Sequence, residues 1–112
     1  MFQDKVVVIT GGAGGSGKCI REEFEKAGAK VCVIDIADNP YFVGDIGDEA
    51  TLRRFAEKVI AEHGKVDCLI NNAPPLFKGI GDCTYAEFNY ALRVGVSAAF
   101  LLTQLFLPYF AP

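Results

Sequence analysis

The stretch Ile9–Cys19, ITGGAGGSGKC, decides the fold of this 112-residue chain. It overlaps the end of a continuous β-branched run, KVVVIT, and leads into SGKCIREEFEKAG, where Ile20, Phe24 and Ala27 recur at helical spacing. A buried strand, a glycine-rich turn and a helix are therefore predicted in immediate succession. At such a junction backbone N–H groups and the helix N-terminus face an anion, and a Cβ would block the approach. The alternative is a glycine-rich turn that holds no ligand.

The glycine stretch fits three phosphate-binding patterns at once. These are G-x-G-x-x-G from Gly12, T-G-x-x-x-G-x-G from Thr10 and, in part, G-x-x-x-x-G-K-[ST] from Gly12. The last pattern is typical of nucleoside-triphosphate sites and needs a Ser or Thr after the Lys to hold magnesium. Cys19 stands there instead and is a poor ligand for a hard ion. The strand VCVID resembles an acid-terminated metal-binding strand, so a nucleoside-triphosphate-binding module stays an alternative.

A dinucleotide site instead needs an acidic residue at the end of the second strand, about 20 residues after the glycines. Asp35 ends the predicted strand KVCVID. Its carboxylate can accept hydrogen bonds from both hydroxyls of an adenosine ribose, and it would repel a 2′-phosphate. No Lys or Arg follows in DIADNP to bind such a phosphate. The pattern therefore favours NAD over NADP, and the alternative is a strand-end acid that caps a turn.

The rest of the chain continues the alternation of strands and helices. A short third strand is predicted at YFV, a helix from the N-cap Asp48 to Gly64, a fourth strand at VDCLINN, and a helix from Thr84 to about Leu107. The order β-α-β-β-α-β-α predicts an α/β fold with a parallel sheet and helices on its faces. Only Ile36 to Pro40 join the second and third strands, whereas a parallel crossover normally takes a dozen or more residues. The third strand is therefore either short and reached by a tight loop, or unusually paired.

Composition narrows the class of ligand and the compartment. The net charge of −3 predicts no nucleic-acid or anionic-lipid partner, so a small ligand is favoured. Four widely spaced cysteines without C-x-x-C, and a single His, predict no metal site and a reducing, cytoplasmic location. The N-terminus does not have the pattern of a signal peptide. The uncharged run Val94–Pro112 is interpreted as a buried helix and not as a membrane span.

Several spaced motifs resemble the first half of the short-chain dehydrogenase/reductase family. They are the T-G-x-x-x-G-x-G pattern, GDI at 44–46, GKVDCLINNA at 64–73 and RVGVSAAFLLTQ at 93–104. The resemblance covers nearly the whole chain. It implies a Rossmann-like parallel sheet of about four strands with helices on both faces, truncated after the fourth strand and its following helix. It also implies that residues 1–112 form one truncated dinucleotide-binding domain.

The resemblance also implies a role for individual residues in holding NAD. The pyrophosphate would lie against the glycine turn, the ribose against the acid of the second strand, and the adenine against the loop after the third strand. The corresponding residues are Gly11, Gly15, Ser16 and Gly17 for the pyrophosphate, Asp35 for the ribose, Asp45 and Ile46 for the adenine, and Asn72 and Ala73 along the nucleotide, with Asn71 tying strands together.

Three departures from the family pattern concern catalysis. Pro74 replaces the final Gly of N-N-A-G, and Gly95 stands where the family's helix carries a catalytic Asn. No Tyr of this chain is followed by a Lys in the family's Y-x-x-x-K spacing, in which the Tyr is the acid/base. We therefore expect an NAD(H)-binding protein that does not turn over alone. The alternatives are an oxidoreductase completed by a partner chain, and a structural or interaction protein with a relic glycine loop.

The last predicted helix, Thr84–Leu107, is apolar on too many sides to pack on one sheet. A helix that is apolar all round is buried all round. The edge of the fourth strand, Val66–Asn71, is also expected to be open, and an open edge invites pairing. Both features predict a homo-oligomer formed through this helix.

Overall fold

The computed structural model describes residues 1–72, 78–79 and 81–112. Four strands form one sheet in the order β3-β2-β1-β4, with all neighbouring strands parallel. They are β1 (Val6–Thr10), β2 (Lys30–Asp35), β3 (Phe42–Val43) and β4 (Cys68–Asn71). The predicted parallel, Rossmann-like sheet is thus confirmed. The carboxyl ends of all four strands lie at the same edge of the sheet. The fourth strand is shorter than the predicted VDCLINN.

The short connection between β2 and β3 is possible because β3 contains only two residues. Ile34 pairs with Phe42 and Asp35 with Val43, so β3 lies beside the end of β2 and not along its length. To run parallel to β2, the chain therefore needs to turn back along β2 by only about two residues before β3 begins. Asn39 stabilises the loop, since its Oδ1 accepts the N–H groups of Tyr41 and Phe42, both at 2.9 Å. Of the two predicted options, the short strand with a tight loop is the one found.

The described part of the chain contains four α-helices, of which the second and the third begin at side-chain caps. They are α1 (Gly15–Lys26), α2 (Glu49–His63), α3 (Tyr85–Leu92) and α4 (Ala98–Phe106). The Asp48 carboxylate accepts the Thr51 N–H at the start of α2, and Gly64 ends that helix with φ 70°. Thr84 and Glu87 form the predicted capping box at the start of α3. These local signals could be read from the sequence, and the structure confirms them.

The two faces of the sheet are covered by different helices, as predicted. Val8 and Ile34 belong to a core shared with α2 and α4, where Phe55 and Phe106 meet edge to face at 6.5 Å. Helix α1 contacts β1 and β2. On its face Val33 lies so close to Gly12 that a Cβ on the glycine would be 2.9 Å from a Val33 methyl. The opening glycine stretch is therefore held tightly against the sheet.

The last helix differs from the prediction in its geometry. Between α3 and α4 the chain forms one π-helical turn, Arg93–Ser97, and Leu107–Tyr109 adds a 3₁₀ turn, so that Tyr85–Tyr109 is one helical rod, hereafter the terminal helix. Its buried residues are Ala91, Val94, Ala98, Leu102 and Phe106. From Val94 to Phe106 the buried residues are four positions apart, whereas an α-helical turn has 3.6 residues. The wider π turn contains more residues per turn and thereby keeps these side chains on one side of the helix.

The terminal helix is covered on one side only, which agrees with the expectation that its apolar residues cannot all face one sheet. One side packs on the core, but Phe100 is 67% exposed and Tyr85 is 83% exposed. By length and composition, the terminal helix is the one helix in the described residues that is long and apolar enough to cross a membrane. Within its most apolar window, 33% of the residues are buried. Burial of the exposed side against a second copy of the chain stays a prediction.

The edge of β4 is partly covered, which corrects the prediction of an open edge from Val66 to Asn71. Val66 forms a parallel bridge to Phe110. The Val66 N–H donates to the Tyr109 carbonyl, and the Ala111 N–H donates to the Val66 carbonyl, both at 2.9 Å. In the described part of the chain Cys68–Asn71 pairs with β1 alone. The chain after the terminal helix thus returns to the sheet at the start of the β4 edge.

Candidate nucleotide-binding site

The strand order places a crevice beyond the carboxyl ends of β1 and β4. The chain runs outward from β1 through β2 to β3 and then returns to the other side of β1 for β4. In open parallel sheets ligands bind at such a reversal, because the loops on either side diverge there. The glycine stretch leaves β1 and Asn72 leaves β4 at this point. Both predicted regions therefore meet at the same edge of the sheet.

The glycine turn has a backbone conformation that requires glycine at two predicted positions. Gly11 has φ 74° and Gly15 has φ 57°, both in the left-handed region. The Gly11 N–H donates to the Ile34 carbonyl at 2.8 Å, so the turn is joined to the end of β2. A Cβ at Gly15 would meet no atom within 4 Å. The constraint at Gly15 is therefore conformational, and the turn is open on that side.

Gly17 is required for a different reason, namely close approach. It is buried in the first turn of α1. A Cβ there would overlap the Gly11 carbonyl oxygen and the Asn72 side-chain nitrogen. The helix can thus start directly against the turn and against the end of β4 only if this residue has no side chain.

The start of α1 is open to an anion. Its N-cap is Gly14, and no side chain caps the helix. The first turn comprises Gly15, Ser16 and Gly17, whose N–H groups have no acceptor within the helix. The first hydrogen bond of the helix is made by the Lys18 N–H, which donates to the Gly14 carbonyl at 3.2 Å. Uncapped N–H groups and the helix dipole together favour a negatively charged group at this position. This geometry fits a pyrophosphate.

Asp35 lies at the end of β2, beside the glycine turn, as predicted. Its Oδ2 accepts the Ala13 N–H and its Oδ1 accepts the Ala37 N–H, both at 3.0 Å. The two bonds fix the carboxylate between the turn and the β2–β3 loop. An ionised carboxylate has about four lone-pair sites, so two remain for further donors. The Asp35 carboxylate, which was predicted to contact the ribose, therefore has a fixed orientation in the absence of a bound nucleotide.

Asn72 joins β1 and β4 at the crevice. Its N–H donates to Thr10 Oγ1 at 3.0 Å, and its Nδ2 donates to the Gly11 carbonyl at 3.2 Å. Asn71, which was expected to tie the strands together, is exposed. The tie is thus made one residue later, because successive side chains of a strand point to opposite faces. Asn72 positions the glycine turn and borders the crevice.

Asp45 follows β3 in a turn at the same edge of the sheet. Its Oδ1 accepts the Gly47 N–H at 2.8 Å and the Tyr90 hydroxyl at 2.7 Å. Donation to the carboxylate is the main reason that the pKa of Tyr90 is raised to about 12, with burial second. Ile46 is buried in the core, so its main chain is the part that can face a ligand. Sequence reasoning did not identify Tyr90.

The remaining predicted positions are less informative. Ala73 and the departure at Pro74 lie outside the described residues. Gly95 lies in the π turn and is exposed. All four cysteines are free.

The fold and the crevice define a Rossmann-type nucleotide-binding domain. The family model described as short chain dehydrogenase matches residues 5–111, so the chain belongs to the short-chain dehydrogenase family of oxidoreductases. Momilactone A synthase of Oryza sativa subsp. japonica is 35% identical over 89% of this chain and 43% of its own length. An apo SCOR enzyme of Clostridium thermocellum has a TM-score of 0.88 and 37% identity over 96% of this chain and 49% of its own.

Two further solved structures contain a cofactor. The 3-ketoacyl-(acyl-carrier-protein) reductase of Brucella melitensis complexed with NADH has a TM-score of 0.83 and 30% identity, over 98% of this chain and 51% of its own. A metagenomic short-chain oxidoreductase in complex with NADP has a TM-score of 0.88 and 25% identity, over 96% of this chain and 56% of its own. The chain thus spans about half the length of these proteins.

Proposed function

We propose that this chain is the cofactor-binding portion of a short-chain dehydrogenase/reductase and that it binds NAD(H) in preference to NADP(H). The observation that carries the preference is the Asp35 carboxylate, held by the Ala13 and Ala37 N–H groups beside the glycine turn. It is oriented to accept hydrogen bonds from ribose hydroxyls. No Lys or Arg lies in residues 36–40 to offset its charge toward a 2′-phosphate.

The other predicted residues have complementary roles in this proposal. The N–H groups of the first turn of α1, at Gly15, Ser16 and Gly17, bind the pyrophosphate, with Gly11 shaping the turn. Asp45 accepts the adenine amine, and Asn72 borders the nucleotide. The nicotinamide ring supplies the hydride chemistry when it is bound. The residues of this chain bind and orient the cofactor, and we propose no catalytic residue among them.

The cofactor preference can be measured by calorimetric titration of the chain with NADH and NADPH. Like charges about 4 Å apart at an effective dielectric constant near 20 repel by about 4 kcal/mol, so we expect at least about tenfold tighter binding of NADH. Asp35→Arg should reverse this order. Glu57→Arg is the matched control, since it makes the same charge change at an exposed position of α2, outside the segment 36–40. A wild-type preference for NADPH, or equal behaviour of the two variants, would refute the role of Asp35.

The catalytic state is a separate part of the proposal. The chain contains no Y-x-x-x-K spacing, and Gly95 occupies the helix position of the family's Asn. General acid–base catalysis typically contributes about 10²–10⁴-fold to the rate. We therefore propose that the chain by itself binds cofactor without turnover. An oxidoreductase completed by residues of a partner chain is the alternative, and adding that partner would restore activity.

We also propose that copies of the chain associate through the terminal helix. Its solvent-facing side carries an apolar stripe along its whole length, and such a surface favours burial against a partner. The stripe comprises Phe88, Leu92, Val96, Phe100 and Leu107. A second copy presents the same stripe, so a two-fold contact would bury both at once.

A further inference from the structure

Tyr90 makes the contact between the terminal helix and the turn after β3. Its hydroxyl donates to Asp45 Oδ1 at 2.7 Å, across 45 positions of sequence. The ring fits there because residue 47 is glycine, as a Cβ at Gly47 would lie 2.8 Å from Tyr90 Cε1. The Arg93 guanidinium lies 5.5 Å from the ring centroid. The ring is therefore packed between the turn and the start of the π turn.

The two oxygens of Asp45 are differently engaged. Oδ1 accepts both the Gly47 N–H and the Tyr90 hydroxyl, while in the described part of the chain Oδ2 accepts no hydrogen bond. The turn itself is closed by the Asp48 N–H, which donates to the Asp45 carbonyl at 3.1 Å. With the backbone fixed, the hydroxyl of Tyr90 restricts rotation of the carboxylate. This hydroxyl is protonated at neutral pH, as an ordinary tyrosine is, and its pKa raised to about 12 keeps it a donor at still higher pH.

We infer that Tyr90 is a positioning residue for adenine recognition, because it holds the Asp45 carboxylate with Oδ2 free for the exocyclic amine of the base. This inference rests on the proposed function, in which Asp45 meets the adenine. A carboxylate oxygen accepts from the amine of adenine, but it repels the carbonyl oxygen that hypoxanthine carries at the same ring position. The orientation of one carboxylate thus sets the preference for adenine over hypoxanthine.

The test compares the binding of AMP and IMP by calorimetry to the wild-type chain and to Tyr90→Phe. We expect the wild type to bind AMP about tenfold more tightly than IMP, which corresponds to one well-placed polar contact. Tyr90→Phe should reduce this ratio to about twofold, chiefly by weakening AMP. Tyr85→Phe removes the same hydroxyl from the same helix at a position that is 83% exposed, and it should leave the ratio unchanged.

The outcomes separate this inference from the proposed function. If the wild type binds neither AMP nor NADH, the proposed function fails and the inference fails with it. If the wild type prefers AMP and Tyr90→Phe keeps that ratio, or weakens AMP and IMP equally, the positioning role alone is wrong. If Tyr90→Phe does not fold, the inference is tested on the wild type by NMR. With ¹³C-labelled tyrosine, AMP should shift the Cζ resonance of Tyr90 more than that of Tyr85, and equal shifts would overturn the inference.

Discussion

Replacing Gly17 with alanine tests how the glycine turn, α1 and the end of β4 fit together. The added Cβ would overlap the Gly11 carbonyl oxygen and Asn72 Nδ2, and it would lie 3.0 Å from the Gly11 carbonyl carbon. Two of these three atoms are backbone, so the helix itself must move. Overpacking of this kind costs about 1–3 kcal/mol. Separation of Asn72 from Gly11 loses one further hydrogen bond, worth about 1 kcal/mol.

The sum is about 2–4 kcal/mol, against a total stability of about 5–15 kcal/mol for a small domain. At about 4–8 °C per kcal/mol, the midpoint of thermal unfolding should fall by roughly 8–32 °C. Differential scanning calorimetry measures this shift, and titration with NADH on the folded variant measures the accompanying loss of binding.

Gly14→Ala is the matched control for this prediction. A Cβ at Gly14 meets no atom within 4 Å, and its φ of −156° is open to any residue. Alanine is a poorer N-cap than glycine, so a cost of roughly 0.5 kcal/mol is expected. If Gly17→Ala and Gly14→Ala lower the unfolding midpoint equally, the close approach of Gly17 to Asn72 does not exist in solution.

Three further predictions concern assembly, acid sensitivity and catalysis. Phe100→Glu should shift the wild-type oligomer toward monomer in sedimentation at micromolar concentration, whereas Ala61→Glu, at an exposed position of α2, should not. A folded wild-type monomer would contradict the proposed contact. Hydrogen bonds from Lys78 and from the Thr84 backbone lower the pKa of Glu87 to about 2. This stabilisation of the start of α3 is therefore present above about pH 4.3 and lost as the pH falls toward 2. The protection factor of the residue 87 amide, which is the intrinsic exchange rate at the same pH divided by the observed rate, should fall over that window in the wild type and not in Glu87→Gln. Finally, the isolated chain, free of host reductases, should not oxidise NADH with a panel of ketones and aldehydes, and sustained turnover would show that another group donates the proton.

Much of the fold could be predicted because its signals are local. The β-branched runs of β1 and β2, the N-cap Asp48 and the C-cap Gly64 each act within a few residues of their own position. The family resemblance added the spacing of the motifs, and the family match and the parallel sheet confirm both. The π turn within the terminal helix was not predicted, because it depends on how the helix packs against the core, and burial of the exposed side by a second copy stays a prediction.

The sequence by itself determined the alternation of strands and helices, the glycine turn and the acid at the end of β2, because short-range propensity and spacing specify them. Only the tertiary structure decided which distant groups meet. The Tyr90 hydroxyl reaches Asp45, Asn72 reaches the Gly11 carbonyl, and Phe110 pairs with Val66. Such contacts depend on how packed elements are placed in three dimensions, since sequence separations of 44 to 61 residues carry no direct information about distance.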